Sequence, residues 1–384
     1  MIKTSVLHGT PAWAAIILLW WPTITWTAVN GDYWRLPLVE PVTAGAMGGE
    51  DGPHTSLRSE DCGLCHAEQF DQWRESFHGK AVSPGLLGQF EAFDAGTRDM
   101  CLDCHAPRDA QREAIAELGL DALGSVDGVD CAACHVRADG RFGPRSVAAT
   151  PHGPVMEEPL FRSADFCAPC HQFTAEDVAV NGKPLENTHE EWRDSNYARD
   201  GITCQSCHMA EGSHRFGGIH DPDVLRQGLG LAVTRTERGV TVTLSNRAAG
   251  HALPTYVTPL IRVVIEGTTG ASRSEHIIQR RMSWSREQGW GEVFDTRLRP
   301  HESRRLELPL DAAEGARAQV IVEPDADYHD RVYPFLMEHL AQDLGAESMA
   351  ALETARAAAG ASIYTAYDVS CGPWQGEPVS CAEP

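Results

Sequence analysis

Five copies of one short motif, Cys-x-x-Cys-His, constrain this chain more than any other feature. They stand at Cys62-Gly-Leu-Cys65-His66, Cys101-Leu-Asp-Cys104-His105, Cys131-Ala-Ala-Cys134-His135, Cys167-Ala-Pro-Cys170-His171 and Cys204-Gln-Ser-Cys207-His208. Two thiols three residues apart share one turn of chain. Each can add across one vinyl group of a haem, and the adjacent imidazole then falls under the iron. Zinc sites also use Cys-x-x-Cys pairs, but they need no His at the fifth position. A disulfide framework gives five identically placed histidines no role. A thioredoxin-like redox pair would occur once. The cofactor expected is haem c, five per chain and covalently attached, with His66, His105, His135, His171 and His208 as proximal ligands.

The five proximal histidines lie between residues 66 and 208, about one per 35 residues. A domain of that length has a radius of gyration of about 15 Å. Five haems packed into it form a relay, so density alone points to electron conduction. The intervening sequence reads as loop and short helix. Ala67 to Gly79 puts Phe70, Trp73 and Phe77 on one helical face, and Arg112 to Leu123 repeats Ile115, Leu118 and Leu123 more loosely.

Each iron has a second axial position. A His or Met there gives a low-spin carrier, whereas an open position can bind a small molecule. Seven histidines outside the motifs compete for it: His54, His78, His152, His189, His214, His220 and His251. Context favours five of them. His78 follows an apolar helix, and His152 sits in a Pro-His-Gly-Pro loop. His214 and His220 bracket Arg215-Phe216-Gly217-Gly218, where glycines admit a flat ring. His251 lies in a Gly/Pro-braced loop. His54 is the reserve, His189 reads as a helix-surface residue, and Met100, Met156 and Met209 are weaker ligands.

The remaining sequence sets the compartment and the architecture. Residues 1–31 carry one formal charge, Lys3, and Ala12 to Trp21 is an apolar run. Residues 1–30 therefore read as an export signal, with an uncleaved membrane anchor as the alternative. Either places the chain in the periplasm or otherwise outside the cytoplasm. A linker is expected over 31–57, a pentahaem domain over 58–225, and a β-sandwich-like domain over 226–328. Strand-like runs at Gly239 to Asn246, Leu260 to Glu266, Arg304 to Leu310 and Gln319 to Glu323 carry that domain. A helical segment and a loop closed by a Cys371–Cys381 disulfide complete the chain over 329–384. The fold class is α+β: a mostly helical and loop multihaem domain, then a small β-sandwich, then C-terminal helices. The net charge of −22 argues against nucleic acid as a partner.

Four further stretches resemble a known family. They are Glu191-Trp192 to Ser195, Ile202-Thr203-Cys204-Gln205-Ser206-Cys207-His208-Met209, His214-Arg215-Phe216-Gly217-Gly218 and Ala249-Gly250-His251-Ala252-Leu253-Pro254-Thr255. With the CxxCH units they resemble multihaem cytochromes c related to the tetrahaem electron carrier of ammonia oxidisers, in a branch with an added C-terminal β-domain. The resemblance spans roughly residues 58–325 and implies that His251 ligates a haem. The chain departs from pentahaem nitrite reductases, which usually carry a CxxCK haem, and from the eight-haem hydroxylamine oxidoreductases. The reading is an exported cytochrome that passes electrons between redox partner proteins, either other cytochromes or a membrane quinol-linked donor. It is uncertain as an enzyme and more readily a carrier. The alternative is an oxidoreductase of a small nitrogen or sulfur compound at one open-site haem.

Overall fold

In the computed structural model, all five motifs sit on or beside short helices. Residues 32–35, 57–138, 140–174, 178–285 and 289–382 are described. The expected signal or anchor, most of the linker and His54 lie outside the described residues. The motif-bearing helices are Ser59–Gly63, Ala95–His105, Cys131–His135, Ala168–His171 and Cys204–His208. In the last four, the motif His is the final helical residue. Ala95–His105 and Cys131–His135 start on side-chain caps, which satisfy backbone N–H groups that the helix leaves free. Thr97 N–H donates to Asp94 Oδ1 at 2.8 Å, and Ala133 N–H donates to Asp130 Oδ1 at 2.7 Å. The first motif differs: His66 precedes the helix Ala67–Glu75. That helix buries Trp73, but the chain leaves it before Phe77, which is 59% exposed.

Apolar packing in this half is thin. One cluster of Val82, Leu86, Leu87, Leu102, Ala106, Ile115 and Ala122 surrounds the second motif helix. The larger core lies in the C-terminal half, where period-2 alternation produces two four-stranded antiparallel sheets. One sheet runs Ser303–Pro309, Gly239–Asn246, Leu229–Thr236, Val379–Cys381. The other runs Tyr364–Cys371, Ala316–Glu323, Leu260–Gly267, Arg273–Ile278. Val240, Val242 and Leu244 of one sheet and Val263, Ile265, Val320 and Val322 of the other belong to one buried core. Each fully buried Val, Leu or Ile stabilises by about 1.5–3 kcal/mol, so this core is the main apolar store of the chain.

Two features depart from the sequence expectation. Residues 364–381, within the region expected to hold only a helical segment and a disulfide loop, supply a strand to each sheet. Ala366, Val369 and Cys371 turn inward from the first of them. The Cys371–Cys381 disulfide therefore ties one sheet to the other. The C-terminal helices Tyr333–His339 and Ala346–Ala361 also fold back onto the haem-motif half. Ala346–Ala361 packs on Pro84–Leu87. The approach is close enough that a Cβ on Gly85 would lie 2.1 Å from the Tyr333 hydroxyl oxygen. Among the described residues no helix is long and apolar enough to cross a membrane.

Candidate haem array

Three of the motif imidazoles are fixed from behind by backbone oxygens. His105 Nδ1 lies 3.0 Å from Ala81 O, His135 Nδ1 2.8 Å from Phe142 O, and His208 Nδ1 2.6 Å from Gly217 O. A carbonyl can only accept, so Nδ1 carries the proton and Nε2 presents its lone pair forward. This is the arrangement that orients a metal-ligating His. Burial also pushes the imidazole pKa down, to about 4 at both His135 and His171. These rings are neutral at pH 7, the form that binds metal.

Four of the five motif rings face a second histidine. His66 and His152 have ring centroids 6.2 Å apart, and His78 and His171 are 6.1 Å apart. His135 and His214, like His208 and His251, are 6.3 Å apart. Two imidazoles in direct contact would be closer. Two imidazoles that each place a nitrogen about 2 Å from a shared metal have centroids about 6.3 Å apart. The spacing therefore fits one metal-centred plane between each pair. The second rings are also held. His152 Nδ1 meets Thr150 Oγ1 at 2.8 Å, His214 Nδ1 meets Gly212 O at 2.9 Å, and His251 Nδ1 meets Ala252 O at 2.9 Å. Burial lowers His78 to about 3.

The surroundings fit haem c in other respects. All ten motif cysteines are free thiols, as thioether attachment requires. Leu64, inside the first motif, and Met100, directly before the second, are exposed apolar side chains suited to a macrocycle face. Among the described residues no group of three or more His, Cys, Asp or Glu is arranged to hold a bare metal ion.

The motifs also touch one another. A hydrogen bond between the Cys62 and Cys131 thiols lowers the pKa of the first and raises that of the second. The same relation joins Cys104 to Cys170, and Cys204 to Cys167. Cys134 is close enough to raise both Cys167 and Cys170. Thiol contacts thus join motif 1 to motif 3 and motif 4 to both motif 2 and motif 5, and Cys134 brings motif 3 near motif 4. The order in space is a branched chain, different from the order in sequence.

His220 has a different placement. Its Nε2 lies 2.9 Å from Asp325 Oδ2, and its ring packs at a tilt against Phe77, centroids 4.0 Å apart. Asp325 also accepts from Ser362 Oγ at 3.0 Å. Among the described residues no second imidazole faces His105. His189, read as a surface residue, is buried, with Nε2 3.0 Å from Asp165 Oδ1.

Sequence reasoning passed over two groups. Tyr33, in the expected linker, is buried against Phe142, Phe161 and Phe166. Its hydroxyl donates to Cys134 O at 2.5 Å, and the buried Arg137 guanidinium lies 4.2 Å over its ring. The aromatic pair Tyr33-Trp34 was the available signal. The second group is Glu186, a buried carboxyl near Cys104 that works against the lowering of that thiol's pKa by Cys170. Nothing in its local sequence marks it.

Three comparisons bear on this geometry. The family model for cytochrome c554 and c-prime matches residues 61–136, a stretch that holds the first three motifs. No curated protein matches. Among solved structures, the penta-heme cytochrome c552 from Thermochromatium tepidum matches with a TM-score of 0.54 and 22% identity, covering 76% of this chain and 95% of that one. The likeness to that structure is one of fold. With the five motifs, the two matches support a multihaem c-type cytochrome of α+β fold.

Proposed function

We propose that this chain is an exported five-haem cytochrome that passes electrons between redox partner proteins. The observation that carries the reading is the set of four facing imidazole pairs, spaced 6.1–6.3 Å, within one contiguous group of five motifs. On this reading the motif cysteines hold haem c. His66 and His152, His171 and His78, His135 and His214, and His208 and His251 are the axial pairs. Haem c supplies one-electron chemistry there. The protein contributes fixed neutral imidazoles, backbone acceptors behind them and close motif contacts, so little rearrangement accompanies a change of charge. Haem c attachment favours a site outside the cytoplasm, where a membrane or soluble cytochrome serves as donor or acceptor. The mass of the holoprotein should exceed that of its own polypeptide, identified by its N-terminal sequence, by five haems, and reductive titration should take up five electrons. Four haems, or a titration that stops short of five electrons, would overturn it.

One observation favours a second activity. His105 has no facing imidazole among the described residues, and His220 is tied to Asp325 instead. This arrangement leaves the second haem with an exchangeable sixth position for a small molecule, fed with electrons by the other four.

A further inference from the structure

The loop that carries His251 is clamped from both sides. Asn246 Nδ2 donates to His251 O at 2.8 Å, and Ala252 N–H donates to Glu191 Oε2 at 3.0 Å. The peptide unit that follows the His251 ring is thus pinned at its oxygen and at its nitrogen, while Ala252 O holds the ring through Nδ1. Asn246 is buried and carries no charge. Glu191 carries one. It comes from the helix Thr188–Arg193, where the neighbouring Glu190 N–H donates at 3.0 Å to Gln172 Oε1, one residue past His171.

Glu191 is the inner end of a line of ion pairs. Its Oε1 lies 3.0 Å from Arg297 Nη2, and Arg297 Nε lies 2.9 Å from Asp295 Oδ1. Asp295 pairs with Lys183, Lys183 Nζ lies 3.4 Å from Glu292 Oε2, and that oxygen lies 2.7 Å from Arg280 Nε. Three cations and three anions alternate along the line. Arg280 and Arg297 are buried, with 0% and 5% of their side chains exposed. A buried charge needs a partner, so packing accounts for the pairing. The line ends, however, on the peptide beside the ring that faces His208. Charge placed there is weakly screened and acts on whatever lies between the two imidazoles. Burial lowers the His251 pKa first; beyond that, Glu191 raises it and Arg297 lowers it, so both fields reach the ring.

We propose that Glu191 is a positioning residue of the fifth haem, holding His251 through Ala252, and that its charge, opposed by Arg297, sets the potential of that haem. The proposal rests on the reading of His208 and His251 as an axial pair. A carboxylate favours the oxidised, more positive iron and lowers the potential, and a guanidinium does the reverse. Paired, the two largely cancel.

The test uses purified five-haem protein and a potentiometric titration followed by absorbance and EPR. Glu191→Gln keeps an oxygen for Ala252 N–H and removes the charge. One of the five midpoints should rise until the oxidised-to-reduced ratio at a fixed potential has fallen about tenfold, about 59 mV for one electron, with the other four unchanged. Arg297→Met should move the same midpoint down, and the double variant should bring it back toward the wild-type value. Asp295→Asn, one ion pair farther out, should raise it by less, and it supplies the second sign-bearing variant if Arg297→Met does not fold. Opposite shifts confined to one haem mark a field, which a loss of packing does not produce. If the variants lose thermal stability while all five midpoints stay, or if several midpoints move together, the line is structural only and the proposal is overturned. His251→Met identifies the haem. It should alter one low-spin EPR signal, the same one whose midpoint moves in Glu191→Gln. If it leaves every low-spin signal as in the wild type, the axial pairing is refuted. If it alters a different signal, the pairing stands and the role of Glu191 fails.

Discussion

At Glu186, burial outweighs hydrogen bonding. Thr188 donates through both its N–H and its hydroxyl, yet removal from water raises the carboxyl from 4.5 to about 7. The folded state therefore favours the protonated form. That contribution is complete below about pH 4.5 and is lost as pH rises through about 7, a change of about 3 kcal/mol by linkage. Thermal unfolding across pH 4.5–7 should show this fall, and Glu186→Gln should remove it and unfold at higher temperature at neutral pH. Parallel curves for the two proteins would contradict the assignment. The residue scale also shows where sequence reading stops. His214 and His220 flank the same glycines, and only the fold separates them. Asp325, more than a hundred residues on, takes His220, while His214 faces His135.

At the scale of elements, the motif helices are too short to stand alone, since isolated helices need about 12–15 residues for even marginal stability. The third shows what replaces length. Asp130 caps Cys131–His135 and is itself held by Arg108 at 2.8 Å, with only 1% of its side chain exposed. Its pKa still rises to about 6, because burial exceeds the pull of the guanidinium. Breaking a buried pair from one side strands the other charge, at a cost of about 3–5 kcal/mol. Arg108→Met should lose about that much in chemical denaturation. The double variant Arg108→Met/Asp130→Asn, which keeps the capping oxygen without the charge, should recover most of it. If the double variant is no more stable than the single, the stranded charge is not the cause. Elements with a local pattern were legible in the sequence. Gly239–Asn246 is the expected strand to the residue, because alternating Val and Leu declare an inward face. The strand Tyr364–Cys371 was not, because its inward positions include Ala and Cys and its pairing comes from a strand more than 40 residues earlier.

At the scale of the whole molecule, charge and architecture act together. A net charge of −22 surrounds the motifs, and negative surroundings stabilise the oxidised, more positive iron. Most of the five potentials should lie below 0 mV in a spectroelectrochemical titration, and a set lying wholly above it would contradict this. The five identical motifs were legible in the sequence. Their branched order in space was not, because contacts such as Cys62 with Cys131 and Cys104 with Cys170 depend on how the helices cross.

The central claim is a division among the five haems: four held between paired imidazoles and one, on His105, with a sixth position that no described histidine fills. Low-temperature EPR of the oxidised protein, with haem quantified on the same sample, tests it directly. The account predicts four low-spin haems and one high-spin haem per chain. Five low-spin haems would show the His105 site filled and remove the ligand-binding role. Two or more high-spin haems would contradict the imidazole pairs themselves.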